Sequence, residues 1–132
     1  MKKDLVKKEH FIFGPGRLAF LIFNKTHSNV FITLTDYNMK VIICKTSGMC
    51  GVGSTKKKKN SPQAVESIVK ELSHFFKIYQ IKILDIILRF RVTSHTLILV
   101  KELSALGIVI RCFLQRLRIG HNGMRGRKLR RI

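Results

Sequence analysis

The chain has 132 residues, of which 45% are hydrophobic, and 26 Lys+Arg stand against 7 Asp+Glu for a formal net charge of +19. That apolar content excludes wholesale disorder, and the length suits one domain with extensions. A charge this large opposes folding by self-repulsion, so it points to a partner carrying negative charge, a nucleic acid or an anionic membrane surface, rather than to solubility alone.

Residues 1–25 read as a basic arm. Lys2, Lys3, Lys7 and Lys8 precede Phe11-Ile12-Phe13 in the manner of a signal peptide. Gly14-Pro15-Gly16-Arg17 breaks that apolar stretch and no small-residue cleavage site follows, so secretion is rejected. No apolar run in the chain reaches the ~18 residues a bilayer span requires. Leu18 to Phe23 suits a short strand once docked. Val30 to Thr35 and Val41 to Cys44 are rich in β-formers, and Asp36 to Lys40 between them has turn chemistry, which predicts a hairpin.

A glycine-rich stretch, Thr46 to Thr55, runs into Lys56, Lys57, Lys58 and Lys59. Such a loop exposes backbone N–H groups to phosphate, although it lacks the nucleotide-binding G-x-x-x-x-G-K-[ST] spacing. Ser61-Pro62 then gives a helix start, and Ala64, Val65, Ile68, Val69, Leu72, Phe75 and Phe76 recur at helical spacing to about Ile78. Ile81 to Phe90 suits a buried strand, although its pattern alone also allows a helix. Arg89 to Thr93 is a cationic connection. Ser94 is the expected cap of a second helix that ends at Gly107, and Ile108 to Leu114 reads as the last strand. Hairpin, helix, strand, helix and strand in this order predict a layered α/β core over residues 26–114 with a mixed sheet. Residues 115–132 form an Arg-rich tail.

The cations are unevenly placed. Nine of the ten Arg lie at or after Arg89, and no acid follows Glu102. Arg grips phosphate with a planar fork, so this half favours RNA or DNA over lipid. A basic membrane-surface helix is further disfavoured by Gly120, Gly123 and Gly126. Cys44, Cys50 and Cys112 contain no Cys-x-x-Cys pair and read as reduced thiols. The scattered carboxylates make no two-metal nest, and no nucleophile–base set is present, so neither enzyme, metal nor cofactor is expected.

Several segments together resemble the universal small-subunit ribosomal protein S11 family, collinearly from about Ser28 to Ile132. They are Thr33-Leu34-Thr35-Asp36, Thr46-Ser47-Gly48 with Gly51-Val52-Gly53-Ser54, Lys59 to Ala64, Tyr79 to Leu84, Leu106 to Ile110, His121 to Arg125 and Arg127 to Ile132. Arg89 to His95 stands where the family has a Gly-Pro-Gly-x-Gly-Arg loop, and Arg118-Ile119-Gly120 stands where it has prolines. This drift suggests an organellar member. So does a composition rich in Lys, Ile and Phe without Trp, which fits an AT-rich coding genome.

The resemblance implies a three-layer α/β/α core, ribonuclease-H-like and non-catalytic. It also implies a structural role on the platform of the small ribosomal subunit near the mRNA exit path, in a mitochondrion before a plastid. Implied partners are small-subunit rRNA, neighbouring platform proteins and mRNA, with neither membrane nor a second copy of the chain. The alternative is a free-standing RNA-binding chaperone or regulator. Expected RNA contacts fall in three basic elements. The first is Ser54, Thr55, Lys56, Lys57, Lys58 and Lys59. The second is Arg89, Arg91, Ser94 and His95. The third is Arg116, Arg118, His121, Asn122, Gly123, Arg125, Arg127, Lys128, Arg130 and Arg131.

Overall fold

Leu18–Lys25 (β1), the end of the segment read as an arm, is the central strand of the sheet. The computed structural model describes residues 11–51 and 56–132, so the first ten residues of that arm lie outside the described residues. β1 pairs antiparallel with β2 (Val30–Thr35) and parallel with β4 (Ile83–Leu88), and no sheet would close without it. The core therefore begins at Leu18 rather than after residue 25. The physical reason lies in Leu18-Ala19-Phe20-Leu21-Ile22-Phe23, an unbroken apolar run whose Ala19, Leu21 and Phe23 are buried under the helices while Phe20 and Ile22 are half-buried on the other face. The lysines upstream masked it.

The expected hairpin is present: β2 pairs with β3 (Val41–Thr46), and Asp36 ties the turn by accepting from Lys40 N at 2.7 Å. A short helix, α1 (Lys56–Lys59), replaces the expected lysine loop. The first long helix, α2 (Pro62–Ile78), matches its expected limits. The second, α3 (Ser94–Ala105), starts one residue earlier than its expected cap implies, with Thr93 as N-cap. Gly107 follows it with φ +77, the left-handed conformation that ends a helix. β5 (Val109–Gln115) completes a mixed five-stranded sheet of order β3-β2-β1-β4-β5, the α/β class the sequence indicates.

Alternation sorts the strands into two faces. Ala19, Leu21, Phe23, Ile32, Leu34, Leu84, Ile86 and Leu88 share one buried cluster with Val65, Ile68, Leu72 and Phe76 of α2 and Leu99 and Leu103 of α3. Among the described residues, the helical cover thus lies on this side. The opposite face carries Phe20, stacked on Tyr37, and Asp85. Asp85 is buried, and Arg111 holds its carboxylate with both a Nε donor at 3.0 Å and a Nη2 donor. A register shift between Leu84 and Asp85 brings Arg111 there. At the other margin, Lys45 pairs with Glu71 of α2 at 3.0 Å. Burial and the neighbouring Glu71 carboxylate push the Cys50 thiol up to about 11.

Two outcomes follow. Phe23→Ala removes a fully buried ring that meets Phe90 edge-on at 4.9 Å. It should cost about 3–5 kcal/mol, read from the urea midpoint. At pH 8, iodoacetamide should modify Cys50 much more slowly than the exposed Cys44. Glu71→Gln should narrow the difference, as mass spectrometry of the modified peptides would show.

Candidate nucleic-acid interface

β1, β4 and β5 run parallel, and β2 is antiparallel to both β1 and β3, so β3 runs with them. Their C-terminal ends consequently meet at one end of the sheet. The chain leaves them there as four segments: the turn after Lys25, the stretch after Thr46 that leads to α1, the connection Arg89 to Thr93, and the tail from Arg116. The three basic elements expected from sequence are thus brought to a common end by topology. This is the end at which open α/β sheets place their ligands.

Backbone and side-chain bonds fix these exits to one another. Arg89 N donates to Phe23 O at 3.0 Å, and Arg116 N donates to Leu88 O at 2.8 Å. Ser47 N donates to Val30 O at 3.2 Å, while the Ser47 hydroxyl donates to the Asn29 side-chain oxygen. Asn60 Nδ2 donates to His27 O at 3.0 Å, and Gln115 Nε2 to Phe90 O at 3.4 Å.

Both long helices begin at the same end, because each crossover leaves from a strand's C-terminus. Neither has an acidic residue in its first turn, and neither N-cap makes a side-chain capping bond. Ser61 instead donates its hydroxyl to Lys58 O at 2.7 Å. Pro62 has no N–H, and Ala64 N and Thr96 N donate to Ser61 O and Thr93 O, so what each helix start offers an anion beside the cationic side chains is chiefly the positive end of its dipole. Three carboxylates are engaged elsewhere: Asp36 accepts from Ile12 N and Lys40 N, Glu71 is paired with Lys45, and Asp85 is held by Arg111, whereas Glu66 lies just past the first turn of α2. At the opposite end Arg17, Lys77 and Lys82 sit with the C-terminal ends of the helices, whose negative partial charge offsets them.

The sequence-predicted residues divide into three groups. Arg89, Arg91, Ser94, Arg116 and Arg118 are exposed at the basic end, as is Lys58, with Lys59 half-buried there. Lys56 and Lys57 contribute backbone to α1, while Ser54 and Thr55 lie outside the described residues. His121, Gly123, Arg125, Arg127, Lys128, Arg130 and Arg131 are exposed along a tail without helix or strand, and Asn122 takes φ 51. That left-handed angle, which Asn tolerates, fits the turn expected at Asn122-Gly123.

His95 departs from expectation. It is buried, its Nε2–H donates to Asn60 O at 2.8 Å, and Nδ1 faces the Thr93 hydroxyl at 3.4 Å. Its ring joins the start of α3 to the residue before α2, so it positions the interface rather than lining it. The physical reason is helical geometry: in the first turn of α3, the residue before Thr96 faces inward with it, while Ser94 faces water. Asn60 and Thr93 were missed as positioning residues. Nothing local in the sequence marks Asn60, whose partners are His27 and His95.

The family model described as ribosomal protein S11 matches residues 21–131. The chain is also 31% identical over 83 residues to the small ribosomal subunit protein uS11m of Acanthamoeba castellanii, a match covering 63% of this chain and 42% of that relative. The matched part is less than half of the relative's length.

His95→Ala should lower stability by about 1–2 kcal/mol, because it orphans the Asn60 carbonyl and removes the tie between helix starts. Arg91→Ala should leave the thermal midpoint in place while weakening RNA binding. Calorimetry and filter binding on the two variants would check this division.

Proposed function

The chain belongs to the ribosomal protein S11 family, and we propose that it is a structural component of a mitochondrial small ribosomal subunit. In this role it holds small-subunit rRNA against the basic end of its sheet. The observation that carries this reading is the convergence of Lys58 and Lys59, Arg89 and Arg91, and the tail from Arg116 at the end where both long helices present uncapped N-termini. The suffix in the name of the uS11m relative supports the mitochondrial location.

The physical account has two parts. Phosphate neutralisation by Lys and Arg releases counterions and supplies most of the affinity. The rigid end of the sheet gives that affinity a direction, since structured RNA is recognised through its shape, its backbone and its unpaired bases. The tail then extends the contact. Its turn at Asn122-Gly123 redirects a strand of exposed cations into RNA, where Arg125, Arg127, Lys128, Arg130 and Arg131 meet phosphate. The site lies on the subunit platform near the mRNA exit path, next to other platform proteins. No step of this function uses a reacting side chain or a cofactor.

Deleting residues 121–132 should leave the sheet and helices folded. It should reduce the slope of log K against log salt by about 4 for binding to small-subunit rRNA, if each of the five tail cations meets one phosphate. Incorporation into the small subunit, read by sedimentation, should fall with it. An unchanged slope would remove the tail from the RNA-binding account. A chain that binds RNA but never sediments with small subunits would instead be a free-standing RNA-binding protein.

A further inference from the structure

Among the described residues, β5 is an outer strand of the sheet, paired with β4 alone. Its inward bonds run from Val109 N to Lys82 O at 2.9 Å and, just past its end, from Arg116 N to Leu88 O at 2.8 Å. A parallel ladder uses alternate residues, so the amides of Phe113 and Gln115 point away from the sheet. The side chains along this edge are apolar on both faces. Phe113 lies opposite Ile86 and Leu114 opposite Ile87, neighbours on β4 that face opposite ways. Even so, Phe113 is 45% and Leu114 41% exposed, with Val109 at 60%. Leu117 and Ile119 continue the exposed series past the strand.

Exposed edges normally carry Lys, Pro or inward-pointing charge that prevents pairing with another chain. The sequence Cys112-Phe113-Leu114-Gln115 has none of these, and Arg111 is turned onto Asp85. We infer that β5 is a docking edge for an extended, acidic segment of another protein, which adds as a further strand to the sheet. Exposure on both faces selects strand addition. A helix or a flat surface would cover Phe113 or Leu114, whereas the side chains of a paired strand flank both. RNA could meet Arg116 and Arg118 but offers no aliphatic side chains and no strand-spaced donors for the edge. A second copy would bring another net +19 into contact. Charge complementarity therefore asks for a different protein, with acids placed against Arg116 and Arg118.

This inference rests on the subunit reading for where the partner is sought, so the test separates the two. Small subunits are purified with p-benzoylphenylalanine in place of Phe113, or in place of Leu129 in the tail, and irradiated. The probe at 113 should join a single subunit protein, within an extended segment that bears acidic residues and alternating apolar ones. Gln115→Pro keeps the backbone bonds to β4 but blocks the outward donor and should lower that yield roughly tenfold, whereas Gln115→Ala, which loses only the side-chain bond to Phe90 O, should leave it unchanged. Hydrogen exchange of the wild-type β5 peptide should be slower in the subunit than in the free chain, and it decides alone where Gln115→Pro does not incorporate. Cross-links from position 113 to rRNA, to another copy or to a helix would overturn the inference. So would no cross-link, a yield indifferent to Gln115→Pro, or unchanged exchange. The probe at 129 reads the RNA account independently: it should join rRNA whatever position 113 reports.

Discussion

Parallel strands can be joined only by a crossover that carries the chain back along the sheet, and here the crossovers are α2 and α3. This constraint determines the rest. It sends every parallel strand out at the same end, puts both helix starts there, and leaves both helix C-termini at the other end. β1 makes the arrangement possible, since it is the strand to which the hairpin and the β4–β5 pair both attach. Interchanging loops between the two ends would not preserve the field. The same lysines placed beside helix C-termini would meet a partial negative charge instead of reinforcing a positive one.

Self-repulsion among so many cations is tolerated because the structure segregates them from the core. The buried cluster is aliphatic and aromatic, and Asp85, a carboxylate buried in the sheet, is matched by Arg111, whose guanidinium reaches water. Lys and Arg at the basic end are held by loops and by the tail, with bonds between backbone exits providing rigidity. His95 and Asn60 show how polar groups can be spent on position. They add a polar tie between the starts of two helices that also pack on each other through the core.

Local features were legible in the sequence. Ser61-Pro62 marked the start of α2, Gly107 the end of α3, and Asp36 to Lys40 the hairpin turn, each through chemistry confined to a few residues. Collinear motifs from Thr33 to Ile132 pointed to the family. Non-local features were not legible. Leu18 to Phe23 looked like an appendage because its neighbours in sequence are lysines, while its neighbours in space, β2 and β4, lie on either side of it in the sheet. The pairing of Asp85 with Arg111 spans 26 residues and depends on a register shift that no pattern announces. The inward turn of His95 follows from where α3 starts, and its partner Asn60 lies far away in sequence, before α2.

The central claim is that rRNA is held at the C-terminal ends of the parallel strands. Chemical protection of side chains tests it most directly, by comparing Arg and Lys modification in the free chain and in the assembled small subunit. Arg89 and Arg91 should be strongly protected on assembly by RNA, and released by nuclease digestion. Lys77 and Lys82 at the opposite end should change little on digestion. Nuclease-sensitive protection at Lys77 and Lys82, with the two arginines still reactive, would contradict the account.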